Sequence, residues 1–203
     1  MIKLAFRLPR KLTVAFSGGI DSVAATHFLA NNHNVSLAFF HHGTQDSEKA
    51  EFFVRDFSKK FELPLTIGYI KSSKPKVLSL EEHWRNERYN FLENVDDYVV
   101  TAHHLDDCVE TYVHSAMHGT IKTIPFHRNE IVHRPFLLNR KYEFENYVQR
   151  KNLSWVEDSS NFNLKYTRNF IRCELMPNVL KVNPGINTTV SKILKTNLRM
   201  MEK

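Results

Sequence analysis

Cysteine is scarce in this chain: Cys108 and Cys173 are the only two in 203 residues, and they form no Cys-x-x-Cys pair. That excludes a disulfide framework and a thiolate-held zinc or iron–sulfur centre, and a reducing, cytoplasmic setting is expected. No apolar run approaches membrane-spanning length, and Met1 to Arg10 has too short an apolar stretch for a signal peptide, so no membrane partner is expected. Internal repeats and low-complexity segments are absent. Acidic residues are in deficit, 22 Asp+Glu against 28 Lys+Arg, and the net charge of +6 suits a polyanionic partner without proving one. With 42% hydrophobic residues the chain can bury a full core, which excludes a disordered or fibrous protein and fits one large domain or one domain with a short appendage.

Apolar segments with β-branched or aromatic character recur at Leu12 to Phe16, Val35 to Phe40, Leu65 to Ile70 and Tyr98 to Ala102. Stretches of helical periodicity alternate with them: Ser22 to Asn31, Ser47 to Phe61, Leu80 to Glu93 and Asp106 to His118. Strands alternating with helices predict an α/β fold, an open doubly wound parallel sheet, with ligands beyond the carboxyl ends of its strands. After Gly119 the pattern breaks; 121–134 reads as a loop, a candidate lid, with a short strand around Ile131 to His133. Helical periodicity returns from Asn139 to Lys151 and from Tyr166 to Leu180, ending near Pro184-Gly185. The expected organisation is a core over 1–138, a helical completion over 139–185, and a basic amphipathic helix over 186–203.

Glycine is also scarce, six in all, yet two are adjacent. Ser17-Gly18-Gly19-Ile20-Asp21-Ser22 follows the first apolar run and opens the first helical pattern. Two residues without Cβ let the backbone turn sharply and aim successive N–H groups at an anion, with the helix dipole behind them. The lysine of a Walker loop is missing, and Asp21 and Ser22 stand in its place. A carboxylate beside phosphates implies Mg²⁺ between them, so ATP chemistry is the first expectation and a helix cap at Asp21 or Ser22 the plainer alternative.

The second cluster is Thr101-Ala102-His103-His104-Leu105-Asp106-Asp107-Cys108-Val109-Glu110-Thr111, at the end of a predicted strand. Asp106 is expected to cap the next helix. Asp107, Glu110, Thr111, His114 and His118 share one helical face, because steps of three and four residues bring side chains together. His114 and His118 have zinc-like spacing, but the glutamate of His-Glu-x-x-His is absent.

Taken together, the two clusters resemble the PP-loop ATP pyrophosphatases, and within them the tRNA(Ile)-lysidine synthetases, catalytic domain only. Glu82-His83-Trp84-Arg85-Asn86-Glu87-Arg88-Tyr89 is similar to that family's arginine-bearing helix and Arg134-Pro135-Phe136-Leu137 to its Arg-Pro-Leu-Leu segment. Trp155-Val156-Glu157-Asp158-Ser159-Ser160-Asn161, with Tyr166-Thr167-Arg168-Asn169-Phe170-Ile171-Arg172, resembles the end of the catalytic domain. The sequence departs from the pattern at Thr44-Gln45, where Leu-Arg is usual, at Cys108, where Gln is usual, and at His118-Gly119-Thr120-Ile121, where Arg-Gly-Thr-Gly is usual.

The resemblance implies a ligase that uses ATP to adenylate the wobble cytidine of tRNA(Ile) with a CAU anticodon, and then lets L-lysine displace AMP. On that reading Ser17, Gly18, Gly19, Ile20, Asp21, Ser22 and Arg88 hold ATP or pyrophosphate, and Asp21 holds Mg²⁺. Asp107 and Glu110 receive the lysine ammonium, His103 or His104 relays its proton, and Arg85 supplies a catalytic guanidinium. Arg134, Arg168, Arg172, Lys192, Lys195 and Arg199 are the expected tRNA phosphate contacts, with Asp158 as another partner for Arg168 and Arg172. A homodimer partner is an alternative source of RNA contacts. The competing expectations are another PP-loop enzyme, a tRNA thiolase or amide-forming ligase, and a catalytically altered RNA-binding paralogue.

Overall fold

A computed structural model describes residues 1–157 and 163–201. Six strands form one sheet: β1 Lys11–Ala15, β2 Asn34–His41, β3 Leu65–Tyr69, β4 Val99–Val100, β5 His127–Arg128 and β6 Val132–His133. Their order is β3-β2-β1-β4-β6-β5; all neighbouring pairs are parallel except β5 with β6. The predicted open α/β sheet is therefore present. Its order reverses between β1 and β4, where Thr13 pairs with Val99 and Val14 with Val100. Chain leaving these two strands runs in opposite directions, which opens a crevice at their carboxyl ends.

Helices α1 Ile20–Ala30, α2 Gln45–Lys60, α3 Leu80–Val95 and α4 Leu105–Met117 follow the four long βα units. Beyond the β5–β6 hairpin lie α5 Lys141–Arg150, a short α6 Thr167–Phe170, a π-helical turn Ile171–Leu175, α7 Met176–Val182 and α8 Ile186–Met201. The run expected over Tyr166 to Leu180 is thus helical but changes its winding at Ile171.

The strands are buried on both faces, which explains why β1 and β2 read as apolar runs rather than alternating ones. Leu12, Val14 and Phe16 of the first strand region pack with Val23, Ala24 and Ala25 of α1 and with Phe144, Tyr147 and Val148 of α5. A second cluster joins Cys108, Val109 and Val113 of α4 to Ile186, Val190 and Leu194 of α8. The terminal helix is therefore a core element on one side, while Lys192, Lys195 and Arg199 lie exposed on the other. Glu202 and Lys203 lie outside the described residues.

Gly68 of β3 is required by close approach: a Cβ there would stand 2.5 to 2.7 Å from three ring atoms of Phe91 on α3. Gly68→Ala should destabilise the chain by about 1–3 kcal/mol, the usual cost of overpacking, and Phe91→Leu in the same chain should recover part of the loss. Thermal melts of the single and double variants check this; equal melting of Gly68→Ala and wild type would refute the contact.

Candidate active site

The glycine loop leaves β1 at the crevice. Gly18 has φ +80°, a left-handed conformation that favours glycine, and a Cβ at this position would meet the Phe53 ring at 3.1 Å. Gly19 is the N-cap of α1 and has no side chain to bond the first turn. Ser22 does not cap either; its hydroxyl donates back to the Gly19 carbonyl at 2.8 Å and lies 3.2 Å from Ser17 Oγ. The Gly19 N–H donates to Ser17 Oγ at 3.3 Å. The N–H groups of Ile20, Asp21 and Ser22, at the positive end of an eleven-residue helix, therefore have no side-chain cap and can receive an anion.

Asp21 turns away from its own helix. Its Oδ2 lies 3.3 Å from Lys141 Nζ and 3.7 Å from His104 Nε2, and its Oδ1 is buried without a hydrogen-bond partner. Burial pushes this carboxyl up, but His104 and Lys141 outweigh it and hold it below its ordinary 3.8. An ionised, orphaned carboxylate oxygen beside uncapped N–H groups fits Mg²⁺, which prefers oxygen ligands and phosphates.

The second cluster meets the first through His104, 1% exposed. Its Nε2 faces Asp21 while its Nδ1 lies 3.5 Å from Asp107 Oδ2. His104 rather than Asp106 caps α4: its Nδ1 accepts from the Asp107 N–H at 3.4 Å, and Asp107 Oδ2 accepts from the His104 N–H at 3.0 Å. The cap requires Nδ1 to be an acceptor, so the ring proton sits on Nε2, toward Asp21. The expected cap at Asp106 is corrected for a reason the sequence hides: Asp106 reaches across the crevice to Arg140 and accepts from the Lys141 N–H at 2.8 Å, capping α5 instead.

Asp107 and Glu110, 6% and 8% exposed, share the inner face of α4. Asp107 Oδ1 accepts from Arg168 Nη2 at 2.6 Å and from Arg172 Nη2 at 3.1 Å. Glu110 takes Arg172 in a fork, Oε1 from Nε at 2.7 Å and Oε2 from Nη2 at 3.0 Å. Burial again opposes ionisation of Asp107, but His104 and Arg168 drive its carboxyl far below the usual range. Arg172 is correspondingly pushed up, burial notwithstanding, by Glu110 and Asp107. Arg168 and Arg172, expected on phosphates, are therefore committed to these carboxylates; the pairing expected with Asp158 falls outside the described residues.

His103 does not suit the proton relay expected of it. Burial, together with Arg134, Arg168 and Arg88, pushes its pKa down to about 3 against the pull of Asp107, so it is neutral and a weak base, with Nδ1 2.8 Å from Thr101 Oγ1. His104, shifted upward by Asp107, Asp21 and Asp106 in spite of its burial, is the better proton holder. His114 and His118 are drawn into ordinary helical contact, with His118 Nδ1 2.9 Å from the His114 carbonyl oxygen.

On α3, Arg85 is exposed and Arg88 half-buried, and both lean on the Tyr89 ring, at 4.9 and 5.5 Å. Arg134 is not the surface phosphate contact expected of it. It is 2% exposed, donating from Nη1 to the Pro125 carbonyl at 2.8 Å and from Nη2 to Tyr89 Oη at 3.1 Å. The Thr44-Gln45 departure has a local reading: Thr44 caps α2 through the Ser47 N–H. Cys108, 0% exposed and pushed up to about 12 by burial, is an inert core thiol.

A family profile described as a PP-loop domain matches residues 3–179. The chain belongs to the PP-loop family. A tRNA(Ile)-lysidine synthase of Thermotoga maritima is 31% identical over 199 residues, covering 89% of this chain and 48% of that protein. One from Persephonella marina is 32% identical over 214 residues, covering 95% and 47%. This chain thus spans about half the length of the curated relatives it matches. Among solved structures, an NH3-dependent NAD synthetase from Campylobacter jejuni superposes with a TM-score of 0.50 at 17% identity, over 96% of this chain and 86% of that one, which is a likeness of fold. Among the described residues, no helix of this PP-loop chain is long and apolar enough to cross a membrane.

Sequence reasoning missed Lys141. A lysine in the first turn of α5 opposes the helix dipole, and that misplacement was the available signal that its charge serves something outside its own helix. It missed Arg128 and the role of Tyr89 for lack of any pattern linking residues 39 positions apart.

Arg172→Met leaves Asp107 and Glu110 with Arg168 alone. Because Arg172 is 35% exposed, solvent screening discounts the cost to about 1–3 kcal/mol. A carboxyl depressed in the folded state contributes stability above its unfolded value of 3.8 and loses it as pH falls. The deficit should therefore be full at pH 7 and narrow toward pH 4. Urea melts at both values check this, and a deficit independent of pH would refute the ion-pair account.

Proposed function

We propose that this chain is a tRNA(Ile)-lysidine synthetase-type ligase that adenylates the wobble cytidine with ATP and then joins L-lysine to the same carbon. The supporting observation is the position of His104, which ties Asp21 of the glycine loop and Asp107 of α4 into one crevice. An ATP-binding loop and a carboxylate pair able to take an amine are thereby adjacent.

The N–H groups of Ile20 to Ser22 hold the triphosphate, and Arg85 and Arg88 offset its charge as pyrophosphate leaves. Magnesium, when bound through Asp21, supplies charge neutralisation at the phosphates. The cytidine O2 attacks the α-phosphorus and the bond to pyrophosphate breaks; the ε-nitrogen of lysine then forms a bond to carbon 2, and the bond from carbon 2 to the AMP oxygen breaks.

A lysine side chain, with a reference pKa of about 10.4, arrives as a cation and must react as an amine. Asp107 and Glu110 draw the ammonium in. Arg168 is the guanidinium that yields, since it is 48% exposed and holds Asp107 by one short bond, whereas Arg172 grips Glu110 with two. His104 is placed to accept the departing proton once Asp107 shifts to the ammonium. Lys192, Lys195 and Arg199, the exposed side of α8, contact tRNA phosphates, each adding about one unit to the salt dependence of binding.

With ATP, Mg²⁺, labelled lysine and a tRNA bearing a CAU anticodon, the chain should place label in the RNA. Asp21→Asn should lower AMP release by at least about a hundredfold, as expected for loss of a group that acts on transition-state charge. AMP release without label in RNA would replace lysine with another nucleophile. Undiminished AMP release by Asp21→Asn would remove the glycine loop from the reaction.

A further inference from the structure

Arginines are normally fixed by carboxylates, and fixing them that way cancels the charge that an anionic ligand would use. At the edge of the crevice the fold uses a different device. Four guanidinium carbons lie within 6 Å of the Tyr89 ring centroid: Arg128 at 4.2 Å, Arg85 at 4.9 Å, Arg88 at 5.5 Å and Arg134 at 5.9 Å. Tyr89 itself is 2% exposed, and its hydroxyl accepts from Arg134 Nη2 at 3.1 Å. Among the described residues only Arg128 of the four has a carboxylate partner, Glu93, at 2.8 Å. Arg134 spends its donors on neutral oxygens, and its buried Nε has no hydrogen-bond partner.

Like charges this close repel one another, and burial weakens their screening. The ring's electron-rich face offsets part of that repulsion without adding a negative charge. The cluster therefore remains net positive and ordered, a state with a standing demand for an anion. Its neighbours agree: burial and the Arg85, Arg168 and Arg134 charges press Arg88 below the ordinary guanidinium range, and the same field keeps His103 neutral.

We propose that Tyr89 is a positioning residue whose ring holds Arg85, Arg88 and Arg134 in register as a polyphosphate site, the place where the pyrophosphate end of ATP is gripped and released. This rests on the ATP chemistry proposed above and assigns it a residue that touches no substrate. A phosphodiester of the RNA has the same charge chemistry, so the test separates the two sources.

Inorganic pyrophosphate and a short RNA oligomer are titrated separately into the full chain and its variants across a series of salt concentrations. Tyr89→Phe keeps the ring and should bind pyrophosphate within about threefold of wild type. Tyr89→Leu removes the cation–π face and should bind it at least about tenfold more weakly, the worth of one charge-assisted hydrogen bond, with a shallower salt dependence. Equal pyrophosphate affinity and salt slope in Tyr89→Leu and wild type, with only the melting temperature lowered, would make Tyr89 a core residue and overturn the proposal. Weakening confined to the RNA oligomer would overturn the polyphosphate assignment.

If Tyr89→Leu does not fold, the wild-type chain still decides. Pyrophosphate should shift the Nε–H resonances of Arg85 and Arg88 and leave that of Arg150, which leans on Tyr147 at 5.7 Å, unchanged; no shift at Arg85 and Arg88 would refute the site. Pyrophosphate binding needs neither lysine nor tRNA. A chain that shows these effects but incorporates no lysine would lose the lysidine reading while keeping this one.

Discussion

The structure turns on one buried imidazole held between two carboxylates. His104 joins the loop after β1 to the helix after β4, and it does so at the one place in the sheet where the strand order reverses. Desolvating Asp21, Asp107 and Glu110 together would be prohibitive if they were left alone, because each buried charge needs a partner that water no longer supplies. Lys141, Arg168 and Arg172 provide three positive charges against those three negative ones, with His104 between the two sets. Elements far apart in sequence are thereby bound to the crevice by the same charges that make it reactive.

Adjacent residues at the start of α4 serve different ends. Asp107 points inward to the arginines of the α6–π segment, while Asp106 faces α5, caps its first turn and pairs with Arg140. Because α5 packs on α1 through Phe144, Tyr147 and Val148, the cap at Asp106 also fixes where Lys141 meets Asp21. The alternation follows from helical geometry: residues one apart are about 100° around the axis and cannot share a target.

The fold was legible because its signals are local. Apolar runs bounded by glycine and capping residues mark strands buried on both faces, and Ser17-Gly18-Gly19 could only turn and open a helix. The acids of the site were legible too, since Asp107 and Glu110 stand one helical step apart. Their partners were not. Arg168 and Arg172 read equally well as phosphate contacts, and nothing within their own helix reveals that two carboxylates some 60 positions earlier will claim them. Asp106 and Asp107 were likewise indistinguishable as caps until α5 arrived from across the crevice. Arg134 was misread for a related reason: a charged residue beside a proline suggests a surface turn, and only the closing of β6 on the Tyr89 pocket buries it.

Two ways of holding arginine divide the crevice electrostatically. On the α4 side, carboxylates hold Arg168 and Arg172, and the resulting ion pairs can be exchanged for another cation at little net change in charge. On the α3 side, an aromatic ring holds Arg85 and Arg88, and their charge stays uncompensated by any carboxylate among the described residues. A site with one exchangeable cationic position and one unfilled anionic demand suits a reaction whose reagents carry opposite charges. An ammonium entering beside Asp107 and a polyphosphate beside Tyr89 would each be drawn to the side that repels the other. The order of the two chemical steps then follows from charge: while the polyphosphate occupies the arginine side, the field it adds stabilises the ammonium form of the nucleophile. Its departure removes that stabilisation, so the amine becomes easier to deprotonate once the adenylated intermediate exists.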